Sequence, residues 1–446
     1  MSEKNHERPL GFWSATAAVI ATMIGAGIFG ATGGFAHELG TDTNVLLVWL
    51  FCGGLALTGA LSLGELGAMM PRSGGCYTYN RHLYGDTAGY LSGVLSFLLA
   101  FVGAAAFITL LLGVYVQEII PGIPPTATAS AVVLIFTLVH CIGLREGNCV
   151  NNFFTIFKVG VILAFIVAGF QANVEPTVNP AATNPGVFSA PFASAMLTAS
   201  FAYLGWETSS WIASDIRDPK RNLPRSLIAG TVFVTVLYLL LNTVFLRAQS
   251  ASTMTGEIEG IGLHATKILF GPAASQWFNW MVVVLLISTT STILMVGARI
   301  VSTMARDGQL PAVLGRPSPT RAPQNALILQ AVLTIIFIFA ANSVGSVGTL
   351  LDYIGLPLTL IMGATVAGVF VLRRREPKTE RPFRVPLYPV TPLIFLGLSI
   401  WMILSAISQN WKTAAASAVT VLIVWALKPL LTGGATAASP DSSQNH

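Results

Sequence analysis

Lys158 and Glu207 are ionisable side chains set inside apolar runs, where burying a charge costs several kcal/mol unless it is paired. Each is therefore a candidate for ion, ligand or proton work. Glu207 closes the stretch Ser200-Phe201-Ala202-Tyr203-Leu204-Gly205-Trp206-Glu207-Thr208, which has a glycine at mid-run. A second glycine-interrupted run, Met23-Ile24-Gly25-Ala26-Gly27-Ile28-Phe29, lies near the N-terminus. Glycine in an apolar helix can serve close approach of a neighbour. It can also mark a break that frees backbone groups, which is tolerated in a bilayer only where the break lines a protein cavity. Freed N–H groups at a half-helix start suit a carboxylate, and freed carbonyls at a half-helix end suit an ammonium. Two facing breaks could hold both ends of an α-amino acid without any charged side chain.

Other chemistry finds little support. The six histidines are scattered with no HExxH or other metal spacing, so no cofactor or metal is expected. His140 reads more readily as a helix-contact histidine than as a proton relay. No GxxxxGK[ST] phosphate loop is present, so the chain itself is not an ATP-driven pump. Cys52, Cys76, Cys141 and Cys149 form no CxxC pair and read as unpaired small apolar residues. No paired nucleophile and base or metal set falls within the apolar runs, so an enzyme is not expected.

The elements that position these residues follow from composition. Only 10% of the 446 residues are Asp, Glu, Lys or Arg, against about 25% in an average soluble protein. Hydrophobic residues make up 53%, and mean hydropathy is +0.70. A spanning helix needs roughly 20 mostly apolar residues. Twelve runs qualify, at about 12–36, 44–70, 87–117, 127–144, 152–170, 191–213, 226–247, 275–304, 325–342, 346–372, 388–408 and 411–431. These numbers exclude a soluble globular enzyme, a disordered chain, a disulfide-stapled domain and an outer-membrane barrel. The chain reads as an all-α membrane protein with twelve transmembrane helices and no cleavable signal peptide.

With the N-terminus in the cytoplasm, 19 of the 24 lysines and arginines fall on inside segments. Arg247, Lys267 and Lys412 alone fall outside, and Lys158 and Arg299 fall within spans. That asymmetry predicts both termini inside. The net charge of +5 thus reflects topology rather than nucleic-acid binding. Arg373-Arg374-Arg375 reads as an anchor at the cytoplasmic headgroups; Asp352 is assigned no role. The two glycine-interrupted runs open the first and second sets of five spans, the positions at which transporters built on inverted repeats carry their site.

Three motifs carry a resemblance. Met23 to Phe29 resembles the first-helix break of the amino acid–polyamine–organocation transporters. Met70-Pro71-Arg72-Ser73-Gly74-Gly75-Cys76-Tyr77-Thr78-Tyr79 is similar to that superfamily's loop after the second span, and Asp218-Pro219-Lys220-Arg221-Asn222-Leu223-Pro224-Arg225 to its loop after the sixth. The match covers about residues 10–430. It implies a LeuT-type 5+5 inverted repeat with broken helices 1 and 6, plus two extra helices. Residues 1–431 then form one transporter domain, with repeat one at about 10–172, repeat two at about 188–373 and accessory spans at about 388–431. Residues 432–446 are expected to be a disordered cytoplasmic tail.

By resemblance, the substrate carboxylate meets N–H groups of Gly25, Ala26 and Gly27. Its ammonium meets carbonyls near Met23 and Ile24 and near Phe201, Ala202 and Leu204. Phe201 or Tyr203 is the gate or side-chain wall, with core packing as the competing reading. Glu207 matches the glutamate after the sixth-helix break of the arginine/agmatine antiporter, where it is implicated in proton sensing; its competing role is a hydrogen bond to the exposed backbone of the break. Lys158 matches the fifth-helix lysine of sodium-independent members, whose ammonium takes the place of sodium between the first and eighth spans. Snorkelling to the surface is the alternative for that lysine. The eighth span offers Ser288, Thr289, Thr290, Ser291 and Thr292, of which Ser291 and Thr292 are the expected coupling hydroxyls. Such hydroxyls could equally coordinate Na⁺, but a neighbouring ammonium disfavours it. Ile293 falls where the antiporter carries a substrate-stacking tryptophan, so the cation–π platform for a guanidinium is missing.

The expectation is a sodium-independent secondary transporter of amino acids, neutral ones foremost, in the bacterial inner membrane, working as an exchanger or a proton symporter. Its partners would be the amino acid or a related amine, protons and the lipid bilayer, with no nucleic acid, and it would act as a monomer or homodimer. The rival readings are a carrier of polyamines or other amine-bearing solutes and a non-transporting amino-acid sensor. A channel would need a continuous polar pore or charged ring, which the sequence does not offer.

Overall fold

Long apolar runs, punctuated by glycine, proline and capping hydroxyls, fold as helices throughout, and no strand occurs among the described residues. The computed structural model describes residues 8, 10–25, 27–142, 144–174, 179, 184–256, 258, 260–316, 322–341, 347–409 and 411–432. Ala26, the tail beyond residue 432 and the side chains of Cys149 and Asp352 lie outside the described residues.

In chain order the first helices are α1 (Phe12–Met23), α2 (Gly27–Leu39), α3 (Asp42–Met69), α4 (Gly75–Tyr84) and α5 (Asp86–Leu95). A π-helical stretch, Ser96–Gly103, joins α5 to α6 (Ala104–Ile119). Next come α7 (Pro125–Ile142), α8 (Leu144–Gln171), α9 (Ala190–Ala202), the single turn α10 (Thr208–Trp211) and α11 (Pro219–Ala248). The remainder are α12 (Ile261–Phe270), α13 (Pro272–Arg306), α14 (Gln324–Ala341), α15 (Val347–Arg375), α16 (Val390–Gln409) and α17 (Trp411–Thr432).

Local chemistry sets these starts. The Thr41 side chain accepts from the Asn44 amide at 3.2 Å, and Asp42 sits in the first turn of α3, where negative charge favours the helix dipole. Ser189 accepts from the Phe192 amide at 3.3 Å, with Pro191 in the first turn of α9. Such signals are visible in sequence, and the apolar runs predicted at 44–70, 226–247, 275–304 and 411–431 correspond to α3, α11, α13 and α17.

Among the described residues, eight helices are long and apolar enough to cross a membrane, and nine if the bent pair α1–α2 counts as one span. The lipid-facing surface is correspondingly apolar: Trp13 is 80% and Trp277 79% exposed, along with many leucines and isoleucines. A soluble protein does not expose apolar surface on this scale. The chain is a multi-pass membrane protein. Helix α13 runs through the centre, with 83% of its most apolar window buried, whereas α17 buries 11% and sits at the edge. Helix α11 packs along α3 and α1, and α8 lies against α1 and α13.

One end of the bundle, the end rich in lysine and arginine, is closed by polar contacts. Leu10 pairs with Ile216, its amide donating to Asp215 O at 3.0 Å and its carbonyl accepting from the Arg217 amide at 2.7 Å. Arg299, inside α13, is paired with Asp215. Asp307, just past α13, accepts from Tyr77 Oη and lies 2.8 Å from Arg81 of α4. Glu65 of α3, only 1% exposed, accepts two bonds from Arg373 of α15 at 2.8 and 2.6 Å. The same carboxylate lies 3.3 Å from Arg381 and accepts from the Val385 amide at 2.7 Å.

Candidate functional site

Helix α1 stops at Met23, Ile24 turns to extended backbone, and the chain resumes as α2 at Gly27, bent by 43° from α1. Helix α9 stops at Ala202, and a five-residue turn, Tyr203 to Glu207, leads into α10. In that turn Gly205 has φ +107°, a conformation that side chains rarely adopt.

The two breaks touch. A Cβ on Gly27 would lie 2.7 Å from Cα of Ala202, the last residue of α9. A Cβ on Gly205 would lie 2.7 Å from Cγ2 of Thr22, in the last turn of α1. Each glycine makes room for the end of the opposite half-helix, so close approach and interruption occur at the same residues. Gly27→Ala is therefore expected to force the breaks apart, lowering uptake at least about tenfold while the purified protein stays monodisperse. Wild-type uptake by that variant would show that the contact can yield without consequence.

The carbonyls freed at the end of α1 have partners. Lys158, 0% exposed, donates from Nζ to Ala21 O and Ile24 O, each at 2.9 Å, and to Thr289 Oγ1 at 3.1 Å. Thr289 Oγ1 in turn lies 2.7 Å from Ile24 O. The ammonium thus lies between α1 and α13, inside the bundle rather than at its surface. Its hydroxyl partner is Thr289, not Ser291 or Thr292. At 100° per residue, Ser291 turns toward α7, where its carbonyl lies 2.9 Å and its Oγ 3.1 Å from His140 Nε2. Thr292 donates to Ser288 O within its own helix.

A small cavity of about 40 Å³ lies at the junction of the breaks. Of the residues singled out from sequence, Met23, Gly25, Gly27, Phe201, Ala202, Leu204 and Glu207 line it; Ile24 and Tyr203 do not. Tyr203 packs against Trp49 and Tyr238, its hydroxyl donating to Trp49 O at 2.9 Å. Glu207 is buried at the cavity wall and its Oε2 accepts from the Gly205 amide at 3.3 Å, a bond to the exposed backbone of the break. Ile293 contributes apolar wall, as do Ala100, Phe101, Ala104 and Ile108. The last four were missed from sequence because the third apolar run carries no internal marker. Ala100 and Phe101 belong to the π-helical stretch, a distortion often found at functional sites. A water's share of liquid volume is about 30 Å³, so in this conformation the walls must part to admit an amino acid.

A larger cavity of about 480 Å³ lies elsewhere, between α8, α12 and α13. Its lining, including Phe157, Phe165, Phe270, Trp277 and Trp280, is almost wholly apolar and offers nothing to hold a zwitterion.

Comparison with known proteins agrees with this architecture. The amino acid permease family model matches residues 10–427. The mouse b(0,+)-type amino acid transporter 1 is 29% identical over 419 residues, covering 90% of this chain and 83% of its own. The mouse Asc-type amino acid transporter 1 is 30% identical over 410 residues, 87% of this chain and 75% of its own. The human large neutral amino acids transporter small subunit 2 is 28% identical over 428 residues, 89% of this chain and 76% of its own. The chain belongs to the amino acid permease family, within the amino acid–polyamine–organocation superfamily of transporters, and is not an enzyme.

Proposed function

We propose that the protein carries neutral amino acids across the cytoplasmic membrane by alternating access, without sodium, as an exchanger or a proton symporter. The observation that carries this reading is the Lys158 ammonium seated on Ala21 O, Ile24 O and Thr289 Oγ1. Main-chain carbonyls at a helix end, joined by a hydroxyl, make a cation site. A fixed positive charge on those oxygens leaves no room for a sodium ion. The substrate sits between the breaks, its carboxylate on amides at Gly25, Ala26 and Gly27 and its ammonium on carbonyls of α1 and α9.

Selectivity for neutral side chains is supported by the apolar walls at Phe101, Ile108, Phe201 and Ile293, and by the relative whose name specifies large neutral amino acids. Among the described helices, counting α8, α9 with α10, and α14 as spans beside the nine brings the total to twelve and leaves α4 and α12 outside the hydrocarbon. Twelve spans fit a five-plus-five repeat with two accessory helices. The lysine- and arginine-rich end, with Arg81, Arg299 and Arg373 in its ion pairs, then faces the cytoplasm, with both termini.

The test is uptake of a labelled neutral amino-acid mixture into proteoliposomes, in sodium and in choline buffers. Equal saturable uptake in both, inhibited by excess neutral amino acid more than by arginine or putrescine, is the expected result. Uptake that requires sodium, or that putrescine abolishes, would overturn the reading. Among the described residues Glu207 is the only carboxylate on the cavity wall, and Glu207→Gln is expected to flatten the pH dependence of uptake while retaining the bond from Gly205. An unchanged profile removes Glu207 from coupling and leaves it as a backbone cap.

A further inference from the structure

The cavity of about 480 Å³ between α8, α12 and α13 opens on the lipid-facing surface, because three residues of its lining, Phe157, Trp277 and Trp280, are also exposed. Phe157, Val161 and Phe165 lie four residues apart, so α8 presents one face to it. The opposite wall follows α13 from Ala274 to Val284, ten steps of about 1.5 Å. That length, about 15 Å, is half the hydrocarbon thickness of a bilayer. Thr266 and Phe270 of α12 close the groove where α13 begins, the end opposite Arg299 and Arg306. The groove is one leaflet deep.

Its chemistry suits a lipid tail. The Thr266 hydroxyl donates to Gly262 O at 2.7 Å, which leaves the two indoles as the only other side-chain donors among the described lining residues. Water finds no set of partners on such a surface, and an empty groove forfeits dispersion contacts along its whole length. Tryptophans favour the level of the lipid headgroups, and Trp277 stands within two turns of the start of α13. Lys267, exposed and one residue past Thr266, stands on the flank of the lining face at the same level. A neighbouring helix is about 10 Å across and over this length would fill on the order of 1,000 Å³, more than the groove holds. An extended hydrocarbon chain needs a fraction of that cross-section.

The inner wall of the groove reaches the half-helix that follows the first break. Phe278 meets Phe165 at 5.6 Å and Phe29 of α2 edge-on at 5.9 Å between ring centroids. A Cβ on Gly262 would lie 2.5 Å from Phe278 Cζ and 3.1 Å from Phe29 Cδ1, so α12 is pressed onto the same pair of rings. We propose that one acyl chain of a phospholipid occupies this groove with its anionic headgroup on Lys267, and that the chain, by packing on Phe278, steadies Phe29 and with it α2. The lipid comes from the leaflet at the α12 end. This site is separate from the cavity at the breaks and needs no transported solute.

Native mass spectrometry of the full chain, stripped of lipid in detergent and titrated with palmitoyl-oleoyl phosphatidylglycerol or phosphatidylcholine, tests the site. Wild type is expected to take one phosphatidylglycerol about tenfold more tightly than any further copies. Val161→Trp, which fills the groove, is expected to weaken that first binding about tenfold. Val419→Trp, the same change on the exposed face of α17, is expected to leave it intact. Ala274→Phe fills the groove from the facing helix should Val161→Trp fail to fold. Lys267→Gln is expected to bring phosphatidylglycerol down to the level of phosphatidylcholine. First-site binding unchanged in the filling variants would overturn the proposal. A wild-type dimer that those variants split would also overturn it, by giving the groove to a second copy. Equal affinity of wild type for the two lipids would overturn the assignment of the headgroup to Lys267.

Hydrogen–deuterium exchange reads the coupling to α2. Bound phosphatidylglycerol is expected to slow exchange in peptides covering residues 27–39 about threefold in wild type, and not in Val161→Trp. Unchanged rates in wild type would overturn the coupling and leave a lipid seated on the flank of the bundle. Neither measurement involves uptake, so failure of the transport reading and failure of the lipid site are separately visible.

Discussion

Lys158→Ala is expected to lower uptake by at least about 100-fold while the protein still inserts and elutes as a single species. The substitution removes a charge whose three partners, Ala21 O, Ile24 O and Thr289 Oγ1, come from two different helices. Ile24 O keeps Thr289 as a donor, but Ala21 O loses its Lys158 bond. An unsatisfied buried acceptor costs about 1–3 kcal/mol, which many folded proteins withstand. The positional consequence is larger. Without the ammonium, the end of α1 loses its hydrogen-bonded tie to α8 and keeps only the Thr289 bond to α13, and a misplacement of about 1 Å at a binding site can cost 100-fold in rate. Uptake and size-exclusion profiles on the same preparation check this. Wild-type rates would show that the ammonium fills space without governing transport, and the sodium-independent reading would lose its support.

The largest effect on stability is expected at the opposite end of the chemistry, from Glu65→Ala. Glu65 is the buried anion on which Arg373, Arg381 and the Val385 amide converge. Removing one partner of a buried ion pair costs about 3–5 kcal/mol, because the opposite charge is left without compensation. Here two guanidiniums are left facing each other: Arg373, which also stacks on Tyr388, and the nearly buried Arg381. The link between α3, the end of α15 and the segment leading to α16 goes with them. A melting temperature lower by about 3–5 °C in detergent is the expected reading. A melting point close to wild type would mean that the guanidiniums turn to solvent and the cluster holds little together.

Both residues stand on runs that are plain in the sequence, yet only one of their environments was legible there. Lys158 stood out as a lysine inside an apolar run, and the family resemblance, not its own run, pointed to the hydroxyls at residues 288–292 as its partners. Which hydroxyl it meets depends on the rotation of α13, which a stretch of five consecutive Ser and Thr residues cannot specify. Thr289 faces α1, and Ser291 turns to His140 on α7. The glycines at 25, 27 and 205 marked the breaks, because backbone that leaves helical geometry in an apolar run needs a residue free of Cβ.

What they pack against is long-range information. Gly27 against Ala202 and Gly205 against Thr22 join segments nearly two hundred residues apart, and no local pattern announces the pairing. The cavity wall from Ala100 to Ile108 was silent for the same reason: an apolar helix reads alike on every face. Glu65 and Arg373 each looked unexceptional alone, an acid near a helix end and an anchor arginine, and only the approach of α3 to α15 makes them a pair.

The central claim, that the junction of the two breaks moves an amino acid across the membrane, is tested most directly by uptake into sealed proteoliposomes at equal pH. The vesicles are either empty or preloaded with the unlabelled neutral mixture, with Gly27→Ala run beside wild type. The account predicts saturable accumulation by wild type in at least the preloaded vesicles, released by an unlabelled chase, and at least a tenfold loss in Gly27→Ala. Absence of saturable uptake by wild type in both preparations would contradict it.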